Sequence, residues 1–406
     1  MSELNDLINK LCPDGVPYKK LNEVLNYEQP SKYLVSSKNY SDEYSTPVLT
    51  AGKTFILGYT DEVNGIYQAS KDNPVIIFDD FTTDFKWVDF PFKAKSSGMK
   101  MLTPIDSNTC CFRYIYYAMS VIDFVPSDHK RHWISQYSNF TIPLPPLPVQ
   151  SEIVRILDAF TELEAELEAE LADRIEQYEY YRDYLLDKKN LEAMDGKPVE
   201  MKPMWAITTW DKKFNGVDKK QQPAINRHHY YLAKELEPLI VPNGDIKVLT
   251  TSPSDLYTTV ELAKDNIKDG EIVAIPWGGN AIVQYYNGKY ITSDNRIAIV
   301  NDEKQLNCKF LFYVLKNREK ELAKYYRGAG IKHPDMFKVL HMEIPVPSLA
   351  TQERIVDILD RFDTLTTSLT DGIPAEIAMR REQYEYFRSR LLDFPRLPDD
   401  SDSDGE

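Results

Sequence analysis

Two stretches of the chain share one hydrophobic rhythm. Ile153, Ile156, Leu157, Phe160, Leu163, Leu167, Leu171, Ile175 and Tyr178 recur at steps of three and four, the spacing of one face of an α-helix. The pattern predicts a helix over residues 150–189, roughly 60 Å long at 1.5 Å per residue. A second stripe runs through Ile355, Ile358, Leu359, Phe362, Leu365, Leu369, Ile377, Tyr384, Phe387 and Leu391. It predicts a second helix, interrupted at Gly372-Ile373-Pro374, where glycine and proline kink or break the backbone ladder. A helix this long cannot bury its stripe alone, but two in one chain can bury each other. With a globular region between them, an antiparallel coiled pair is the simplest closure.

The regions before each helix read differently. Runs such as PVLT (47–50), VIIFDD (75–80), KVLT (247–250) and IVAIPW (272–277) are short, apolar and rich in β-branched residues, which predicts strands. FRYIYYAM (112–119) and CKFLFYVL (308–315) predict a short apolar helix after the strands in each region. The prolines of IPLPPLP (142–148) and IPVPSLA (344–350) then impose extended chain just ahead of each long helix.

These parallels belong to one internal duplication. IPLPPLPVQSEIVRILDAF (142–160) and IPVPSLATQERIVDILDRF (344–362) agree at eleven of nineteen positions, at an offset of 202. EQYEYYRDYLLD (176–187) and EQYEYFRSRLLD (382–393) agree at nine of twelve, at an offset of 206. The second copy therefore carries four extra residues, close to one helical turn, so helix phase is nearly kept. DGVP (14–17) and DGKP (195–198) mark the two domain starts.

The formal charge of −15 over 406 residues argues against a polyanionic partner until its distribution is seen. Residues 151–200 carry −9 and residues 351–406 carry −7, whereas 1–150 carry only −3 and 201–350 carry +4. The acid is concentrated in the helical segments and the tail, leaving either globular region free to carry a basic face. The tail DDSDSDGE is expected to be disordered. No apolar run approaches the eighteen or so residues of a membrane span. MSELNDLINK has no apolar signal region, and the four cysteines show no CxxC or metal spacing. A cytoplasmic protein is expected.

Catalytic motifs are missing. There is no P-loop, no GxGxxG after a strand and no amino-methyltransferase motif. Asp79, Asp80, Asp84 and Lys86 in FDDFTTDFK fit a solvated loop better than a nuclease metal cluster, and His129 and His132 in DHKRHW lack further ligands nearby. The globular regions do offer basic residues among aromatic and small polar ones, the chemistry that neutralises phosphates and reads base edges. The candidates for DNA contact are Lys86, Lys95, Lys130, Arg131, Lys213, Arg227, Asn295, Arg296 and Lys332.

Two variable globular regions, each followed by a proline run ending in Gln150 or Gln352, a long helix and QYEYYRxxLL or its near copy, resemble the specificity subunit of type I restriction–modification systems. The resemblance implies an α+β fold: two globular α/β target-recognition domains separated by two long antiparallel coiled-coil helices in a pseudo-twofold tandem repeat. The expected boundaries are 1–149 and 191–348 for the recognition domains, 150–190 and 349–394 for the spacer helices, and 395–406 for a disordered acidic tail. It implies a non-catalytic DNA reader without a cofactor of its own, each domain reading half of a bipartite asymmetric site. The helices would set the unread spacer and dock two methyltransferase subunits, restriction/translocase subunits would join them, and AdoMet and ATP would belong to those partners. Tyr178, Tyr181 and Leu185, like Tyr384, Phe387 and Leu391, fit the stripe between the helices. Gln177, Tyr180, Arg182, Gln383, Tyr386 and Arg388 point elsewhere, toward partner docking or the base of each globular domain. The tetrad repeat ELEAELEAEL (162–171) has the form of a ruler in this family. Two other readings remain: a self-contained methyltransferase or nuclease with an embedded recognition module, which the missing motifs disfavour, and a coiled-coil adaptor without DNA contact, which the duplicated globular regions disfavour.

Overall fold

The structure, a computed structural model, describes residues 2–52 and 54–398. Lys53 and residues 399–406 lie outside that range, and the disorder expected of the acidic tail falls on the latter. The first tail residues are ordered, against expectation: Val16 N–H donates to the Pro395 carbonyl and Leu397 N–H to the Val16 carbonyl, at 2.9 and 3.0 Å. Extended backbone with two such bonds has no need of apolar side chains, so composition is a poor guide to its order.

The chain forms two compact units, Met1–Glu168 with Ile377–Glu406, and Ala169–Glu376. The division falls within the long helix, so each unit contains helical segments from both halves of the duplication.

In the first unit a four-stranded antiparallel sheet runs in the order Leu25–Glu28, Met99–Pro104, Val75–Asp79, Phe85–Val88. VIIF is buried on both faces, which explains its unbroken apolar run. A three-stranded sheet of Ile56–Thr60, Thr46–Leu49 and Lys93–Ala94 packs its own small core around Val75, Ile77 and Phe92. The helix Phe112–Met119 covers the main sheet, and Tyr18–Lys20 pairs with Thr141–Pro143, the proline-flanked strand ahead of the long helix.

The second unit repeats this plan in a six-stranded sheet, ordered Thr208–Trp210, Asn295–Val300, Lys268–Pro276, Gln284–Thr292, Ile246–Leu249, Tyr257–Thr258. Cys308–Asn317 is the covering helix, and Glu200–Pro203 pairs with Glu343–Val346.

The first long helix is continuous over Leu147–Leu186. It begins earlier than the stripe suggests because Pro148 falls in the first turn, where the missing N–H costs nothing. The second is two helices, Leu349–Thr367 and Ile373–Leu391. The interruption falls where Gly372 predicts it: a Cβ there would lie 2.4 Å from the Thr364 carbonyl oxygen and 2.9 Å from that of Leu365. Leu369, assigned to the stripe by spacing, lies in this break and is 81% exposed.

Within each unit the helices meet through matching contacts. In the first, Phe160 stacks on Phe387 at 5.6 Å and 27° and approaches Tyr384 at 6.4 Å. Arg381 donates to Glu164 at 2.5 Å and Glu168 at 2.6 Å. Partner numbers fall as those of the long helix rise, so the pair is antiparallel. In the second, Phe362 stacks on Tyr181 at the same 5.6 Å and 27° and approaches Tyr178 at 6.2 Å.

Both helices are also fixed to the covering helices in one way. Gln150 accepts from Cys111 N–H at 2.8 Å and donates to the Pro145 carbonyl at 2.7 Å; Gln352 accepts from Asn307 N–H at 2.8 Å and donates to the Pro347 carbonyl at 2.8 Å. Further along each helix, Asp158 takes Arg113 at 2.8 Å and the Tyr117 hydroxyl, as Asp360 takes Lys309 at 2.7 Å and the Tyr313 hydroxyl at 2.5 Å. The glutamines recognised in the repeat are therefore joints between the helix start and the covering helix.

Candidate nucleic-acid interface

The candidate contacts divide by burial. Lys130 and Arg131 are exposed on the loop after the first covering helix. Lys130 forms an ion pair with Asp128 at 2.6 Å, and the bonded carboxylate holds its ammonium above the ordinary lysine value. Behind them the loop is anchored. His129 stacks on Phe81 at 4.8 Å, and His132 and Trp133 are buried. Lys86 is half-buried on the edge strand Phe85–Val88, and Lys95 donates to the Tyr40 hydroxyl at 2.8 Å.

In the second unit, Lys213 and Arg227 are exposed and line one hollow of about 480 Å³ with Asp211, Lys212, His228 and Tyr230. Burial, with the nearby Arg296 charge, lowers the Lys212 ammonium from its ordinary value, and burial lowers His228 likewise. Lys332 is exposed on a second loop, where its backbone carbonyl accepts from Gly279 N–H at 2.9 Å.

Asn295 and Arg296 are corrections. Both are wholly buried. Asn295 donates to the carbonyls of Leu249 and Thr250 and to Thr292. Arg296 is paired with Asp211 at 3.1 Å and Asp294 at 2.5 Å. Neither reaches a ligand at the surface. Spacing could not show this, because SDNR reads as a polar turn while the strand Asn295–Val300 already begins inside it. Lys212 is a further cation of this site that sequence reasoning missed, although it lies beside Lys213; its ammonium sits 4.5 Å over the Trp277 ring. The acidic group at 79–84 is structural. Asp79 accepts from the Phe81 and Thr82 amides, and Asp80 is buried against Lys100. Among the described residues no His, Cys, Asp and Glu group could hold a metal ion.

The expected docking residues also divide. Arg182 donates to Asn317 at 2.9 Å on the second unit's covering helix and lies over the Tyr178 ring, so it serves that unit's own base, the second of the two roles expected of it. Arg388 is turned onto Tyr384 and hydrogen-bonded to Glu385. Gln383 is half-buried and accepts from Arg380. Gln177, Tyr180 and Tyr386 face outward, Tyr180 being 64% and Tyr386 54% exposed. Tyr180 stacks on Tyr184 at 6.2 Å and 14°, an aromatic surface outside either core.

A duplicated sheet unit with cations on its loops, each copy jointed to a long helix, fits a tandem reader of a polyanion. The chain belongs to the family described as the type I restriction modification DNA specificity domain, which matches residues 13–177 and 229–379. It is 42% identical over 413 residues, covering 98% of both chains, to the type I restriction enzyme EcoR124I/EcoR124II specificity subunit of Escherichia coli. In fold it is similar to the type I restriction-modification S subunit of M. genitalium, with a TM-score of 0.62 at 13% identity over 93% of this chain and 96% of that one. A chain solved in work on complex assembly and conformational transition of the type I R-M system aligns at a TM-score of 0.51 and 14% identity, over 94% and 98%. The protein is thus a DNA specificity subunit, the recognition component of such a system and not its catalyst. The readings as a self-contained enzyme or a DNA-free adaptor gain no support. No helix among the described residues is long and apolar enough to cross a membrane.

Proposed function

We propose that the protein reads a bipartite, asymmetric double-stranded DNA site in the cytoplasm, with the regions 1–149 and 191–348 as target-recognition domains and 150–190 and 349–394 as the helices that set the spacer. The observation carrying this reading is the duplicated joint. Gln150 with Asp158, and Gln352 with Asp360, fix each helix to its globular region through equivalent bonds. Two equivalent joints suit two readers and two copies of one partner. The partners are two methyltransferase subunits seated on the outward tyrosines of the helices, joined by restriction/translocase subunits. The restriction-enzyme name of the E. coli relative supports that choice. Exposed Lys130, Arg131, Lys213, Arg227 and Lys332 are proposed to meet DNA, with half-buried Lys86 and Lys95 at the margin.

Co-expression with the neighbouring methyltransferase gene, followed by methylome sequencing, tests the proposal. The expected result is one motif of two short specified blocks around an unspecified spacer. A single continuous motif, or no methylation from a correctly assembled complex, refutes it.

A further inference from the structure

In each unit a fully buried cation stands at the same place in the sheet. Lys100 lies opposite Phe78, and Arg296 opposite Ile275, each on the strand antiparallel to the central one. Each meets the residue that directly follows the first strand of its unit's main sheet: Gln29 at 3.4 Å from Lys100, and Asp211 at 3.1 Å from Arg296. Their remaining contacts differ in chemistry but share a consequence.

Lys100 pairs with Asp80 at 2.6 Å. Asp80 in turn holds the loop that carries Lys130 and Arg131: its carbonyl accepts from His132 N–H and its carboxylate from Trp133 N–H, both at 2.8 Å. In the second unit the Arg296 guanidinium lies between two rings, 4.7 Å from Tyr230 and 4.9 Å from Trp277. It also bonds Asp294, whose carbonyl accepts Trp277 N–H at 2.9 Å. Trp277 opens the 277–280 turn, which is tied to the loop of Lys332 through Gly279 N–H and through His333, 2.7 Å from the Trp277 carbonyl.

A buried charge is not the economical way to hold a sheet, because apolar side chains of similar size serve stability as well or better. Arg296 even leaves its Nε buried without an acceptor. Two copies that solve one position with different cations, each ending on the loops with exposed basic residues, share a demand on loop position.

We propose that Lys100 and Arg296 are equivalent positioning residues that fix the DNA-reading loops of their own unit, and so set base discrimination in one half of the site each. This rests on the bipartite reading above. The wild-type methylome tests that reading first, since a motif without two blocks defeats it before any variant is compared.

The test compares methylomes of assembled complexes. One variant is Lys100→Met with Asp80→Asn, which leaves no unpaired buried charge; the other is Arg296→Lys, which keeps the charge and loses the planar stack. Thermal melting of each purified complex reports folding. The expected outcome is wild-type-like melting with relaxation of one block only, the two variants relaxing opposite blocks. A relaxed position loses about ten- to hundredfold discrimination, the usual range for one base pair. An unchanged motif in a folded variant, or relaxation of both blocks by one variant, overturns the proposal. If a core variant does not assemble, Lys130→Ala with Arg131→Ala, and separately Lys332→Ala, address the same loops from their exposed side. Each must alter recognition of its own block alone, and an effect on both blocks or on neither overturns the proposal.

Discussion

Asp195 shows how a single carboxylate fastens an element. Its side chain, almost fully buried, accepts from the Ser348 amide at 3.0 Å, from the Ser348 hydroxyl and from the Thr351 hydroxyl at 2.8 Å. Ser348 is the residue ahead of the helix Leu349–Thr367, so these bonds satisfy donors at a helix start that have no partner within the helix. The Ser348 hydroxyl above all, with burial opposing it, holds the Asp195 carboxyl below the usual aspartate range. A carboxyl lowered in the folded state adds stability that is fully present above its unfolded value near 3.9 and is lost as pH falls through the folded value. Asp195→Ala is expected to cost about 1–3 kcal/mol at pH 7, the scale of orphaned buried donors. The gap between wild-type and mutant melting temperatures should shrink below about pH 4. A gap that stays constant to pH 3 would mean that Asp195 acts through packing and not through its charge. The DGKP repeat marks this position as a boundary, but says nothing of its partner 153 residues away. The same limit explains Arg296: sequence shows a cation in a polar turn, whereas burial depends on which strands close over it.

The helices are the most legible elements, because a stripe at steps of three and four needs no tertiary information. The Gly372 break and the Phe160, Tyr181, Phe362 and Phe387 contacts follow the stripe closely. The pairing of strands from distant parts of the chain is not legible, and neither is the composition of the compact units. The tetrad repeat adds a prediction here. In ELEAELEAEL, Leu163 and Leu171 are half-buried and Leu167 is buried, while Glu164 and Glu168 bind Arg381. One more ELEA unit keeps the stripe nearly in phase and adds about 6 Å of helix. Its partner element has non-helical chain at 368–372 with which to follow. The inserted variant is therefore expected to methylate sites whose spacer is longer by about one or two base pairs, with both specified blocks unchanged. Methylome sequencing reads this directly, and an unchanged spacer would remove the ruler role.

At the scale of the whole molecule the question is how a chain of charge −15 holds a polyanion. The acid is segregated, with −9 in residues 151–200 and −7 in 351–406 against +4 in 201–350. Part of it is taken up by internal partners, as Asp158 is by Arg113 and Asp360 by Lys309. With salt screening beyond about 8–10 Å, local cations decide contact and net charge does not. Those cations are unequal. Lys130 must give up Asp128 before it can serve a phosphate, whereas among the described residues no carboxylate forms an ion pair with Lys213 or Arg227. Binding to the cognate site should therefore fall steeply with salt, and Lys213→Ala with Arg227→Ala should flatten log K against log salt by about 0.9 for each phosphate that is no longer neutralised. Affinity should drop across all DNA sequences while base preference is kept, the mark of phosphate-binding cations as opposed to base readers. Anisotropy titrations of the assembled methyltransferase complex from about 50 to 200 mM salt, on cognate and scrambled duplexes, measure both quantities. A slope that does not change would place these two cations off the DNA, and a loss confined to the cognate duplex would make them base readers.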